Sequence, residues 1–316
     1  MINNTQNLSA EKSSADNSQK TMMTKKRSQN VFLFLFLLYP VLQFLVFYVG
    51  VNFNSIVLAF KKYDVFTGVF SFAGFETFKT VIEDLFVNGT LKLALKNSGI
   101  QFVVSFFLGM PIHIVVAYGI FKEIPFSGFF KVMLFMPNMI NGMVFVICGE
   151  SIINYGFPII FGEAASDLLF SLNPSSFYTV LAFGFWMQFA GSLIIYLGAM
   201  SSIPVEVMEY GKLERLSSMR ELFSIVIPLI FPTITTYVVV GIAGFFTNYG
   251  FFYSFFQGSS GAFDTLGYVF FVKVADGVDM SGYPYAAAGG LLFTCILTPV
   301  TFGVKALLEK YGPSEE

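Results

Sequence analysis

From Val31 onward the chain alternates long apolar runs with short polar breaks, and the length of those runs carries the first conclusion. A bilayer core of about 30 Å takes ~20 apolar residues as a helix. Six stretches reach that length: Val31–Val51, Gly99–Phe121, Lys131–Ile153, Phe177–Met200, Ile225–Thr247 and Ala286–Leu308. The predicted fold class is an all-α integral membrane protein with six transmembrane helices. Residues 1–30 are rich in Asn, Ser, Lys and Gln, with almost no bulky apolar side chains, and read as a disordered cytoplasmic tail. Because the first apolar run starts only at Val31 and continues for about twenty residues, it reads as an anchor rather than a cleaved signal. The transmembrane domain is thus expected over 31–308, with 309–316 a second cytoplasmic tail.

An even number of spans places both termini on one side, and the basic residues choose that side. With the N-terminus inside, twelve of the eighteen Lys and Arg residues are cytoplasmic: five in the tail, then Lys122, Lys131, Lys212, Arg215, Arg220, Lys305 and Lys310. The remaining six, Lys61, Lys62, Lys79, Lys92, Lys96 and Lys273, fall in long outer loops that weigh little. The expected topology is N-in, C-in. The outer loops are Lys61–Ser98, Asn154–Ser176 and Asn248–Tyr285; the "DLLF" patch in the middle one is too short to span and reads as an interfacial turn.

Composition agrees and narrows the chemistry. Apolar residues make up 55% and charged residues 12%, against roughly 25% charged in a soluble domain. A net charge of −2 without a basic patch excludes a nucleic-acid footprint. Cys148 and Cys295 lie in apolar runs and suggest neither a disulfide frame nor a thiolate metal site. The single histidine, His113, is also in an apolar run, which argues against a histidine zinc site or a Ser-His-Asp hydrolase. No GxxxxGK[ST] loop is present to cradle phosphates, and the spans hold no HExxH-like or paired-acid motif.

Between the fourth and fifth predicted spans this pattern breaks. "EYGKLERLSSMRELFSIVIPLIFPT", Glu209–Thr233, sets three basic and three acidic residues in its first thirteen positions and then returns to apolar residues. Pro204 suits the first turn of a helix. Val205, Met208, Leu213 and Leu216 supply apolar contacts among charges, and Glu209 and Lys212 are spaced to pair at i, i+3. Ser217 and Ser218 interrupt this short surface helix before a new one enters the membrane. An ordinary polar connecting loop would have the same composition.

The stretch from Ile203 to Thr233 resembles the cytoplasmic EAA loop of bacterial ABC-transporter permeases of the carbohydrate-uptake type. Ile203 and Pro204 match its opening, Glu209 its glutamate, and Gly211 a small-residue position. Glu214 stands at its aspartate and Pro228 at the closing proline. Tyr210 and Arg215 depart from it, replacing an alanine and a glycine. In the same order along the chain, "FAGFETF" (Phe72–Phe78), "ALKNSGIQF" (Ala94–Phe102), "LFMPN" (Leu134–Asn138) and "YPYAAAGG" resemble other elements of these permeases, so the resemblance covers about residues 31–308.

The resemblance implies a multi-pass subunit of the bacterial cytoplasmic membrane, surrounded by lipid, that is not itself an enzyme and carries no cofactor. A second homologous permease, two ATPase subunits holding ATP and Mg, and an extracellular solute-binding protein would complete an importer for a sugar or oligosaccharide. The loop would be its coupling helix, with Pro204, Glu209, Tyr210, Gly211, Leu213, Glu214 and Arg215 at the ATPase contact. An ATP-independent secondary transporter or channel is the alternative, and a membrane-embedded enzyme is third.

Glu150, near the outer end of the third predicted span, is a substrate-pathway candidate by default, although so close to the interface snorkelling to water is the commoner reading. Trp186 and Gln188 could face the pathway, or Gln188 could hydrogen-bond a neighbouring helix. Asn248, Tyr249 and Tyr253 fit either the pathway or an interfacial aromatic belt. His113 reads as packing between helices, and the Asn88 sequon as unused.

Overall fold

The computed structural model describes residues 32–87, 89–162, 174–249, 252–256, 263–275 and 280–313, together with Gln29, Gly258 and Gly277. The expected N-terminal tail apart from Gln29, the "DLLF" patch and Asn88 lie outside the described residues. The chain falls into two units, Met1–Val57 and Leu58–Glu316.

In the first unit the long helix beginning at Phe32 exposes every described residue to Val57. Such an apolar surface is stable only against lipid or protein. The second unit supplies Leu91–Phe121, Gly142–Ile160, Phe177–Ser201 and Gly282–Tyr311, plus a pair, Ser218–Leu229 and Phe231–Ala243, bent by 72°. Among the described residues this makes five membrane-length apolar helices, or six if the bent pair is one span.

Two of the expected spans take a different shape. The region expected as Lys131–Ile153 is split: a helix Ser127–Met139 ends at Ile140, which is extended (φ −95°, ψ 143°). Asn141 then caps the next helix, its side-chain oxygen accepting the Met143 N–H at 3.0 Å. An asparagine that can satisfy an orphan N–H favours starting a helix over continuing one. Glu150 therefore lies mid-way along Gly142–Ile160, away from the outer end where the sequence placed it. The other change is the bend at Ile230, between Pro228 and Pro232. Pro232 has no N–H for the Pro228 carbonyl, and its ring crowds that same oxygen.

Proline marks three further irregularities. The wide π-type turns Val104–Gly109, Ile152–Gly156 and Leu222–Val226 each end two residues before a proline: Pro111, Pro158 and Pro228. A proline cannot donate to the i−4 carbonyl, and the preceding turn loosens around the gap.

The outer segment expected as loop carries local structure. Lys61–Asp64 and Val69–Phe72 pair antiparallel, with Lys61 opposite Phe72 and Asp64 opposite Val69. At the turn, Asp64 accepts the Phe66 N–H at 2.9 Å, and that bond holds its carboxyl below the usual carboxylate range. Helix Glu76–Phe86 comes next, tied to the hairpin by Lys62–Glu76 at 2.5 Å and by Thr77 Oγ1 donating to the Lys61 carbonyl at 3.0 Å. Further on, buried Asn97 donates from Nδ2 to the Asp264 carbonyl at 3.0 Å, and Ser98 Oγ accepts the Leu266 N–H at 2.9 Å. These two bonds seat the start of helix Leu266–Ala275 against the second long helix.

Candidate functional site

The insert between the fourth and fifth spans folds as helix Val205–Leu213, with Pro204 as its N-cap and Lys212 in its last turn. It is seated by one face: Ile203, Met208 and Gly211 are buried, while Pro204, Val205, Glu209, Tyr210, Leu213, Glu214 and Arg215 are exposed. Beneath it, Met208 belongs to the apolar cluster that also holds Ile114, Ala117, Leu193, Met200 and Leu222, and the insert packs on the turn Leu222–Val226. Gly211 is the closest approach. A Cβ there would lie 3.0 Å from Ile225 Cδ1 and 3.7 Å from Glu221 Cγ. Leu213 is 82% exposed, an apolar side chain that no described residue buries.

The helix ends in a double bond pattern. The Leu216 N–H donates to the Gly211 carbonyl at 3.2 Å and the Arg215 N–H to the Lys212 carbonyl at 3.1 Å, with Arg215 left-handed at φ +53°. This is the Schellman termination, whose left-handed position is usually glycine. Ser217 then caps the next helix, its Oγ accepting the Arg220 N–H at 3.4 Å. The left-handed turn is thus at Arg215 itself, and Ser217 starts the second helix.

Beneath this loop lies an ion pair that sequence reading passed over. Lys122 Nζ meets Glu221 Oε1 at 2.8 Å and Oε2 at 3.0 Å, and the Glu221 side chain is 4% exposed. Tyr118 Oη is buried beside the same carboxylate. The available signal was an acidic residue just before an apolar run, in "MRELF".

Between the helices a half-open cavity of about 360 Å³ has seven polar residues in its lining: Ser98, Gln101, Ser105, Gln188, Tyr237, Thr247 and Asn248. Two of the residues singled out from sequence, Gln188 and Asn248, meet here. Stacked Phe102 and Phe106, with centroids 5.3 Å apart, add an aromatic wall. Tyr237 is positioned by Ser192, oxygen to oxygen at 2.9 Å.

The other four candidates lie elsewhere. Trp186 packs on Phe145 at 5.1 Å, Tyr249 stacks on Phe271 at 4.7 Å, and Tyr253 meets the edge of Phe271 at 4.9 Å. Glu150 is half-buried. Gln101 and Ser105 were missed, though two polar residues four apart in an apolar run were a readable sign of one helix face. His113 packs as expected, 4.2 Å from the Phe189 ring centroid.

No family model matches the chain. Among curated proteins it is 22% identical over 213 residues to the multiple sugar-binding transport system permease protein MsmF of Streptococcus mutans, covering 66% of this chain and 71% of that protein. It is 24% identical over 308 residues to the probable ABC transporter permease protein YesP of Bacillus subtilis, covering 92% and 95%. Among solved structures, a bacterial ABC transporter that imports the acidic polysaccharide alginate matches with a TM-score of 0.70 at 20% identity, over 92% of this chain and 99% of that one.

The chain is thus similar to permeases of ABC importers and shares their fold. In this protein the arginine at the left-handed turn carries a strain that glycine would not. A side chain there costs about 1–2 kcal/mol, and glycine returns about 0.5–1 kcal/mol of it through its looser unfolded chain. Arg215→Gly is therefore expected to stabilise the permease by about 0.5–1 kcal/mol, read as a raised thermal midpoint in detergent. A lowered midpoint would mean that Arg215 has a stabilising partner within its own chain.

Proposed function

We propose that this permease forms half of the translocation pathway of an ATP-driven importer for a sugar or oligosaccharide. The observation that carries the reading is the insert Val205–Leu213, held from below by Met208 and Gly211 while Glu209, Tyr210 and Leu213 point outward with no cover. A helix built in this way is a plug for a cleft in a separate ATPase. Pro204 and Glu214 flank the same contact, and Arg215 offers its guanidinium to a carboxylate on the ATPase, a contact that would offset the backbone strain. Two ATPase subunits with ATP and Mg, a second permease and an extracellular solute-binding protein complete the assembly. A related solved structure is an alginate transporter in complex with an alginate pentasaccharide-bound periplasmic protein. The basic residues support an N-in, C-in orientation with the insert in the cytoplasm.

The cavity suits a hydroxyl-rich solute. Two glutamines, an asparagine, two serines, a threonine and a tyrosine supply hydrogen bonds beside an aromatic wall, the usual lining of a site that must orient a neutral polar ligand. Glu150, Trp186, Tyr249 and Tyr253 are assigned the same pathway only once a second permease completes it. An ATP-independent transporter would leave Leu213 exposed to no purpose.

Glu209→Lys tests the reading. Glu209 is exposed in this chain, so its reversal leaves the fold intact and acts only where a partner covers it. Breaking a charged hydrogen bond buried in an interface is worth about 2–5 kcal/mol. The expected result is a variant present in the membrane at normal level from which the ATPase no longer co-purifies. Undiminished co-purification and transport would remove the coupling assignment.

A further inference from the structure

The Lys122–Glu221 pair ties the end of the second long helix to the helix that follows the insert. Lys122 is the C-cap of the second long helix, Leu91–Phe121, where a cation complements the helix end. Glu221 belongs to the helix that comes after the insert and is 3% exposed. Its Cγ and Cδ lie 3.7 and 3.9 Å from where a Cβ on Gly211 would stand, so the carboxylate stem lies against the backbone of helix Val205–Leu213. Apolar side chains in contact resist compression and permit sliding. A buried carboxylate gripped through both oxygens does not slide, because separation strands a desolvated charge.

The far end of the same helix supplies Gln101 and Ser105 to the polar cavity. At 1.5 Å per residue, the 21 steps from Gln101 to Lys122 span roughly 30 Å. We propose that Lys122 and Glu221 are positioning residues that force the second span to move with the coupling helix, so that nucleotide-driven motion of the ATPase reaches the cavity along this one helix. The inference rests on the reading of Val205–Leu213 as a coupling helix. Neither residue touches the ATPase face or the cavity, so their part is transmission between the two.

The test uses the full chain purified with its ATPase from its own cells and reconstituted in lipid, with Cys148 and Cys295 changed to serine and Ser105→Cys as a reporter in the cavity. The measured quantity is the rate at which an impermeant thiol reagent labels the reporter, with and without Mg-ATP. With the pair intact, Mg-ATP should change that rate about fivefold or more, the scale of a typical coupling between sites. In Glu221→Gln and, independently, Lys122→Met, the ATPase should still co-purify while the response to Mg-ATP is lost. Lys122→Arg, which can still grip both oxygens, should keep the response.

A full Mg-ATP response in Glu221→Gln or Lys122→Met would overturn the proposal. Loss of the ATPase from both variants would also overturn it, by making the pair a support for the shape of the loop. If no ATPase accompanies the protein with the pair intact, it is the coupling-helix reading that fails, and the proposal falls with it.

Discussion

Gly211→Val is expected, on the docking role proposed for the insert, to abolish ATPase association while leaving the protein in the membrane. Even a bare Cβ at this position stands 3.0 Å from Ile225 Cδ1, tighter than side chains normally tolerate, and 3.7 Å from Glu221 Cγ. The isoleucine tip can give way, so Gly211→Ala should be mild. Valine adds two methyl groups, and at least one of them meets the Glu221 stem, which its bond to Lys122 holds in place. Overpacking of this kind costs about 1–3 kcal/mol. The least costly relief is for helix Val205–Leu213 to lift away, which moves Glu209, Tyr210 and Leu213 out of register with any partner. Co-purification and ATP-dependent uptake should both fall to background in the valine variant and persist in the alanine one. An ATPase that stays bound to Gly211→Val would show that the tight seat of the helix has no bearing on docking.

Gly267→Val should be the most destabilising single change near the cavity. A Cβ at Gly267 would lie 2.8 Å from both the carbonyl carbon and oxygen of Thr247 and 2.9 Å from the Asn248 carbonyl carbon. All three are backbone atoms, so no rotamer change relieves the overlap. Helix Leu266–Ala275 would have to withdraw, and its first turn is fixed by the Ser98 bond to the Leu266 N–H and by buried Tyr268 and Leu266. We expect a loss of about 3 kcal/mol or more, at the upper end for overpacking, seen as a lowered thermal midpoint. Because Asn248 lines the cavity together with Gln188, any surviving protein should also show reduced transport. A midpoint within about 1 kcal/mol of the parent protein would contradict the close approach.

Much of this molecule could be read from residue order. The membrane class comes from run length alone, because only a helix satisfies its backbone within a bilayer and the number of residues needed is set by bilayer thickness. The insert between the fourth and fifth spans stands out because charge is costly inside lipid, so a cluster of it marks a place where the chain leaves the membrane. Its likeness to the EAA loop at Ile203, Pro204, Glu209, Gly211, Glu214 and Pro228, with the order of the other elements, carried the resemblance to ABC permeases, to which the chain is similar.

The features that residue order left open were breaks inside apolar runs and contacts between residues far apart in the chain. Run length cannot show that Asn141 ends one helix and begins another, or that two prolines four residues apart bend the fifth span by 72°, since apolarity is the same on either side of each break. The candidates Gln188, Asn248, Trp186 and Glu150 looked alike as polar or aromatic residues of the spans and their ends. Only packing brought the first two into one cavity with Gln101 and Ser105 and set the others elsewhere. Lys122 and Glu221 are 99 positions apart, and no local pattern joins them. Burying an acid is tolerable only opposite a base, and which base that is depends on how the second span and the loop helix are packed.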